Sequence, residues 1–546
     1  RAWEEDNARC VRERVRRRFL ERVRISSLAA AQLDADQKAF KKRYAAGRKE
    51  LEHEFGKTMR YRSIRELLAG SSGEVVQDLK PVWLMSPLSV SDALPLDAAH
   101  FDVVIFDEAS QIPLEEAVPS VFRAPQAIVV GDRMQLPPTS FFAARREDGE
   151  DEDDEDGAAL AFDPEGSSFL THAASTLPAT LLGWHYRSRF ESLIGFSNAA
   201  FYSGRLLTVP DAVPASAARA PIAAAAPEAG AANVAALLER AVSFHGLENA
   251  VYRNRRNEAE ARYVAQLVRG LLNGGSGKTV GVVAFSEAQQ EEIESALEDL
   301  ARQDPAFGDR LEAEYAREED GQFVGLLVKN LENIQGDERD VVILSVCYGP
   351  GPDGRMLMNF GPINQQGGEK RLNVAFSRAK MHMALVSSIR HGRITNEYND
   401  GARCLRDYLR YAEAASVGDV AVARRVLEEL HGRRDAAPEA GESDAVVAQL
   451  AAALRGRGWE VDTGVGLSHF RCHLAVRRPG EAAYRLGVLV DTPEQYAQGD
   501  LLARDVMRPA LLRAFGWRVA HVLGKDWHED AAGVVKRVEG EAGVGG

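Results

Sequence analysis

Apolar residues recur along the chain in two distinct rhythms. Over residues 1–66, Val11, Val15, Phe19 and Val23 fall four apart among many Lys and Arg, a spacing that predicts helices with a basic face. From residue 81 the texture changes to short apolar runs, Val82–Met85, Val103–Phe106 and Ala127–Val130, each closed by polar or turn-forming residues. Uninterrupted runs of this kind fit strands buried on both faces of a parallel sheet better than strands with one wet face. Helical and strand patterns alternate again from 233 to 412. There Ala261, Val264, Leu267 and Leu271 share one stripe of a helix over 257–272, and the strand VGVVAF follows. From 443 to 530 a compact helix–strand–strand–strand–helix–strand series appears. The pattern is that of an α/β protein.

Three stretches interrupt it. EDGEDEDDED (147–156) has nine acids in ten residues and predicts no packed element. An Ala- and Pro-rich stretch (209–232) and HGRRDAAPEAGES (431–443) read as linkers. At ~150 residues per domain, a chain of 546 residues suggests three or four units. Its 45% hydrophobic and 27% charged content excludes a mostly disordered or collagen-like chain.

The net charge of −14 argues, taken whole, against a simple basic nucleic-acid-binding module. Its distribution reverses that: nine acids sit in 147–156, whereas residues 1–66 carry 19 Lys+Arg against 11 Asp+Glu. Cys10, Cys347, Cys404 and Cys472 are far apart and form no C-x-x-C pair, which disfavours a disulfide framework or zinc site and points to a reducing cytosol, hence a cytoplasmic location. No apolar run reaches the ~18 residues of a membrane span, and no signal-peptide pattern follows Arg1.

FDVVIFDEASQ (101–111) is an apolar strand ending in two adjacent acids, the Walker B arrangement. Such a strand delivers its carboxylates to the ligand-binding edge of a parallel sheet, where Asp107 suits Mg²⁺ and Glu108 suits the attacking water. A second strand ends in GDRMQLPPT (131–139), where Gln135 is a neutral amide able to sense a γ-phosphate or the attacking water. WHYRS (184–188), KNLENIQGDERDVVILSV (329–346) and GEKRLNVAFSRAK (368–380) follow in order. Together the five segments resemble motifs II to VI of superfamily 1 helicases, in the branch that contains the nonsense-mediated-decay helicase and related nuclease-helicases.

The resemblance covers roughly residues 80–395 and implies RecA-like P-loop NTPase domains that hydrolyse ATP with Mg²⁺ between them. By it, Arg187 and Arg378 match arginine fingers, Gly336 and Glu338 match motif V with the glutamate near the ribose hydroxyls, and Arg371 joins the nucleotide site. Arg371 precedes Arg378 by seven residues, so on one helix both would face the same way. LMSPLSV (84–90) stands where such helicases contact nucleic acid, with Ser86 and Ser89 as phosphate-bonding candidates. The implied partner is single-stranded or duplex nucleic acid, DNA before RNA.

An NTPase of this kind needs a Gly-rich loop ending in Gly-Lys-Thr/Ser between a strand and a helix. Gly56-Lys57-Thr58 lies in a charged helical region with no strand before it. GGSGKT (274–279) follows a helix and precedes a strand, the reverse polarity, and reads as a helix C-cap and turn. The expectation is therefore that the phosphate loop lies upstream of Arg1, that the first RecA-like domain is incomplete, and that this chain alone is inactive as an ATPase.

Residues 443–530 resemble the restriction-endonuclease-like domain related to very-short-patch repair nucleases. Active relatives carry an acid and then a Glu-x-Asp pair where this chain has His473, Leu489 and Asp491. Leucine cannot bind a metal, so an inactive module is expected. Arg504, Arg508 and Arg513 are candidate phosphate contacts, or simply an exposed face.

The expected division is 1–140 for the first RecA-like domain with its basic helices, 141–178 an acidic linker, 179–412 the second RecA-like domain, 413–442 a linker, 443–530 the endonuclease-like domain and 531–546 a tail. The function expected is that of the C-terminal part of an ATP-dependent helicase or translocase. The rivals are a nucleic-acid-binding scaffold without ATPase activity and a metal-dependent nuclease.

Overall fold

The computed structural model describes residues 2–97, 100–138, 168–213, 218–224, 226–248, 250–432, 444–493 and 501–543. Two compact units divide the chain: Arg1–Arg133 with Pro137–Ala179, and Met134–Leu136 with Thr180–Gly546. The acidic run 147–156 lies outside the described residues. Among the described residues, no helix is long and apolar enough to cross a membrane.

In the first unit, helices Ala2–Ser27 and Ala35–Phe55 form where the four-residue spacing predicts them. Asp34 opens the second through a capping box with Gln37, which satisfies the amides that the first turn leaves unpaired. Gly47 lets this helix approach its neighbour, since a Cβ there would lie 2.3 Å from the Ser71 carbonyl oxygen. The Val11–Val23 stripe is exposed.

Strand β1 (Val104–Phe106) pairs in parallel with β2 (Ala127–Val129), as their apolar runs suggest. The third run, Val82–Met85, is not a strand. Val82 and Leu84 are 79% and 97% exposed, and the segment leads into helix Pro87–Ala93. An apolar run becomes a central strand only when neighbours pair with it, and β1–β2 is the one ladder of this unit among the described residues.

Helix Phe169–Thr176 falls inside the stretch read as a linker (141–178). It nevertheless buries Phe169, Leu170 and Ala173 against Phe106, Ala109 and Ala117.

The second unit is built on a six-stranded parallel sheet. Its strands are β3 (Ile222–Ala223), β4 (Val242–Gly246), β5 (Val280–Ala284), β8 (Leu327–Asn330), β9 (Arg339–Ser345) and β10 (Ala379–Ser387), in the order β3-β4-β10-β9-β5-β8. Strands β6 (Glu318–Glu319) and β7 (Gln322–Phe323) form a separate antiparallel pair.

The unbroken apolar runs have the expected cause: helices cover both faces. On β9, Val342 and Leu344 pack on one side with Phe196 and Phe376. Val341 and Ile343 pack on the other with Val264 and Leu267 of helix Glu258–Asn273.

Two readings need correction here. The Ala- and Pro-rich stretch 209–232 contains β3, and its small residues allow close packing. A Cβ on Gly230 would lie 2.5 Å from the Tyr263 carbonyl oxygen. Most of the 413–442 linker is also structured: helix Asp400–Val417 continues to Val417, and helix Val420–Gly432 buries Val426, Leu427 and Leu430 in the domain core.

The C-terminal module follows the predicted series. Its four-stranded sheet has the order β11 (Glu460–Val465), β12 (Cys472–Arg477), β13 (Leu486–Val490) and β14 (Val519–Val522), with the first two pairings antiparallel and the last parallel. The supposed tail is part of this core, because helix Ala531–Gly543 buries Val534, Val535 and Val538 against β12, β13 and β14.

One carboxylate ties several ends of the large sheet together. Glu260 is fully buried and accepts from the Cys347 amide (2.8 Å), the Ser345 hydroxyl (3.1 Å) and the Ser388 hydroxyl (2.5 Å), groups at or just past the ends of β9 and β10. Burial pushes its carboxyl up to about 7 although those three donors pull the other way.

A native pKa above the ordinary 4.5 means that the folded protein holds this proton longer than the unfolded chain. Its contribution is complete below about 4.5 and is lost as pH rises through about 7. Glu260→Gln removes one acceptor oxygen from a site with several donors and should cost roughly 1–3 kcal/mol. Thermal melts from pH 5 to 8 should show that cost and a shallower pH dependence in the variant; unchanged melts would refute the role of this carboxylate.

Candidate functional site

The first unit positions Asp107 and Glu108 by anchoring the strand beneath them. Phe106, the last residue of β1, is buried against Phe169, and the chain turns out of the sheet immediately afterwards. Glu108 adopts the left-handed region (φ 51°), and its amide donates to the Asp107 carboxylate at 2.9 Å. Such a conformation is uncommon outside glycine and recurs at functional turns.

The turn is held from the next strand, because the Ala109 amide donates to the Val130 carbonyl (2.9 Å). Gly131 permits that approach: a Cβ there would sit 3.1 Å from the amides of Ala109 and Ser110. Asp107 is exposed and Glu108 half-buried. One exposed carboxylate at a strand's end suits Mg²⁺, which keeps several waters and takes its remaining ligands from phosphates. No cluster of three or more candidate metal ligands occurs among the described residues.

Ser86 and Ser89 turn out to be a helix start. Ser86 caps helix Pro87–Ala93 by accepting from the Ser89 amide (3.2 Å) and donates its hydroxyl to that of Ser89 (2.9 Å). Both residues remain exposed.

The second unit gathers Arg187, Glu338, Arg378, Arg371 and Gln135. Glu338 immediately precedes β9 and Arg378 immediately precedes β10, so the parallel pairing of those strands places both at one edge of the sheet. The Arg187 Nε donates to the Glu338 carboxylate at 2.5 Å, and Lys380 Nζ lies 2.9 Å from its other oxygen. Burial alone would disfavour the charge on Glu338, but Lys380 and Arg187 overcome it and hold the carboxyl below its usual range. The glutamate expected near a ribose thus holds an arginine finger candidate.

Arg378 is buried, donates from Nε to the Val374 carbonyl (2.8 Å), and turns Nη2 toward the Gln135 amide oxygen (3.4 Å). Arg371 is buried and paired with Glu332 (2.6 Å). The expectation that one helix presents both arginines is corrected: helix Gly368–Phe376 ends two residues before Arg378. Gly336 has φ +88°, a value that favours glycine, in the turn that leads to Glu338.

Lys380, Glu332, Asn373 and Tyr202 join this edge unannounced. The Asn373 amide donates to the Met134 carbonyl (2.8 Å) and to the Tyr202 hydroxyl (3.0 Å). Lys380 and Asn373 stand inside the GEKRLNVAFSRAK text and Glu332 inside KNLENIQGDERDVVILSV, which offered a signal, whereas Tyr202 had none.

Both Gly-Lys-Thr segments follow helix ends. Gly56 closes helix Ala35–Phe55, and Lys57 pairs with Glu54. In GGSGKT, Gly274 closes helix Glu258–Asn273, Gly275 and Gly277 have φ +61° and +67°, and Thr279 is bound to Asp340 ahead of β5. Neither presents a helix N-terminus to a phosphate.

In the C-terminal module Leu489 is 4% exposed, the His473 Nδ1 accepts from the Val490 amide (2.9 Å), and Asp491 accepts from the Gly524 amide. Arg504 pairs with Asp505, and the Arg508 guanidinium lies over the Phe470 ring (5.4 Å).

Comparison with known proteins agrees with this layout. Two family models, each described as an AAA domain, match residues 5–142 and 166–390, and the REase_MTES_1575 model matches 447–541. The chain is 35% identical over 352 residues to the uncharacterized ATP-dependent helicase MG140 homolog of Mycoplasma pneumoniae, and 34% identical over 351 residues to MG140 of Mycoplasma genitalium. Each alignment covers 62% of this chain and 28% of the relative, so the chain spans well under a third of the curated relatives it matches.

A solved structure, the C-terminal domain of a possible DNA helicase from Lactobacillus plantarum, aligns with 31% of this chain and 88% of its own at 18% identity and a TM-score of 0.16. Along the chain, residues 5–142 and 166–390 thus match AAA-domain models and residues 447–541 match the REase_MTES_1575 model.

Proposed function

We propose that the chain is the C-terminal part of an ATP-dependent superfamily 1 helicase or translocase acting on nucleic acid. The observation that carries this reading is the gathering of Arg187, Arg378 and Gln135 at one edge of a parallel sheet, in a chain whose β1 ends in Asp107-Glu108. Phosphoryl transfer asks mainly for positioning and charge neutralisation.

In this reading Asp107 holds Mg²⁺ and Glu108 orients the attacking water or takes its proton. The planar forks of Arg187 and Arg378 neutralise charge on the γ-phosphate. Glu338 pairs with Arg187, so a phosphate competes with a carboxylate for the guanidinium. Gln135, beside Arg378, reports on the same phosphate. Ser86 and Ser89 offer exposed hydroxyls to a nucleic-acid backbone. Neither Gly-Lys-Thr segment opens a helix, so the phosphate-cradling loop comes from residues outside these 546, in the longer protein that the relatives' lengths suggest. In this reading the C-terminal module is not a working nuclease, because Leu489, packed in an apolar cluster, supplies no carboxylate.

Two outcomes follow for the full-length protein. Glu108→Gln should abolish ATP turnover while leaving ATP binding intact; unchanged hydrolysis would remove the assignment and favour the scaffold reading. Arg378→Ala should lower kcat on the order of 10³-fold or more, and Arg378→Lys, which keeps charge but loses the fork, should not restore it. Nucleic-acid-stimulated ATPase assays with DNA and RNA check both variants and distinguish the two polymers.

A further inference from the structure

The C-terminal module grips the loop that carries Arg187. Trp184, three residues before that arginine, lies edge-on to Phe470 of the module with ring centroids 5.2 Å apart. Two residues after it, the Arg189 guanidinium stacks over Phe515 at 5.2 Å and reaches the Ala514 carbonyl at 3.5 Å, while its own amide donates to the Lys380 carbonyl at 2.7 Å. Glu191, next along, is buried and accepts from the Leu467 amide of the module (2.9 Å) and from the Thr208 hydroxyl.

A strap spanning 207–212 completes the grip. Leu207 pairs with the finger loop through the His185 amide (2.9 Å). Thr208 donates to the Ser468 hydroxyl (3.1 Å), the Pro210 carbonyl accepts from the Trp517 indole (2.8 Å), and the Ala212 carbonyl accepts from the Tyr484 amide (2.9 Å). The apolar centre of this contact unites Val209, Leu207 and Trp184 with Phe470, Leu489, Leu512 and Trp517. Leu489, which fills the position where a nuclease would carry a metal-binding glutamate, is therefore part of the joint.

We propose that the endonuclease-like module is a positioning element for ATP hydrolysis: through Trp184, Arg189 and Glu191 it fixes the loop that presents Arg187. This rests on the helicase reading above. Arg189 and Glu191 touch no reacting group in it; they act through Arg187, so loosening them reduces turnover more than nucleotide affinity. A misplaced catalytic group costs rate steeply even when every contact to the ground state survives.

The test uses the full-length protein with Phe515→Leu, which keeps apolar volume but removes the aromatic face, Arg189→Ala, and Phe515→Tyr as the variant that keeps the face. Phe515→Leu and Arg189→Ala should each lower kcat about tenfold or more with KM for ATP changed less than about twofold. They should also speed amide hydrogen exchange across residues 184–191, and Phe515→Tyr should match the wild type in both.

Unchanged exchange and unchanged kcat in the first two variants overturn the proposal. Equal loss in all three with lowered melting temperature also overturns it, because the contact would then serve folding alone. Exchange decides the case even if Glu108→Gln leaves hydrolysis unchanged: faster exchange in the first two variants then supports the grip while the helicase reading falls.

Discussion

The parallel pairing of β9 with β10 is the constraint on which the second unit turns. Parallel neighbours enter a sheet from the same edge and leave by the same opposite edge, so whatever precedes both strands is gathered at one end and whatever follows them at the other. Glu338 and Arg378 meet for the first reason. Ser345, Cys347 and Ser388 meet over Glu260 for the second. Arginine chemistry thus sits at one end, and a buried carboxylate that locks the strand exits sits at the other. Helices on both faces keep water from the ladder, which gives the intervening strands their continuous apolar runs.

Much of this was legible because fully buried strands leave so little freedom in sequence. VVILS and VGVVA admit no polar residue on either face until the strand reaches its end, and the chemistry follows at those ends. Arg378, Glu338 and Asp107 could be read because each stands a fixed step from such a run. Their partners were a different matter. Arg187 and Glu338 are 151 residues apart, and no local spacing connects them. The two arginines at 371 and 378 suggested one helix face, but the helix stops at Phe376 and Arg378 turns instead toward the Asp337 carbonyl and Gln135.

The misreadings share a cause. Val82–Met85 has the composition of a core strand without strand partners among the described residues, and composition cannot supply a partner. Conversely, helices Val420–Gly432 and Ala531–Gly543 lie beside polar or Gly-rich text, which by itself reads as linker and tail. A few aliphatic side chains on one face, Val426, Leu427 and Leu430 in one case and Val534, Val535 and Val538 in the other, suffice to seat them. Short amphipathic helices gain most of their stability from that seating, so their own sequence understates them.

Leu489 joins the two halves of the second unit in a way that neither half explains alone. By the resemblance to repair nucleases a metal-binding carboxylate is expected at this position, and leucine supplies none. As a packing residue it is apt. It buries with Trp517, Leu512 and Phe470 in the cluster that also takes Val209, Leu207 and Trp184 from the helicase side. An ionised glutamate in that cluster would be desolvated among apolar side chains, a cost far above the loss of one methyl contact. The same position therefore cannot serve a hydrated metal and a dry joint at once. In this protein the dry joint is present, and it lies against the loop whose arginine the proposed ATPase requires.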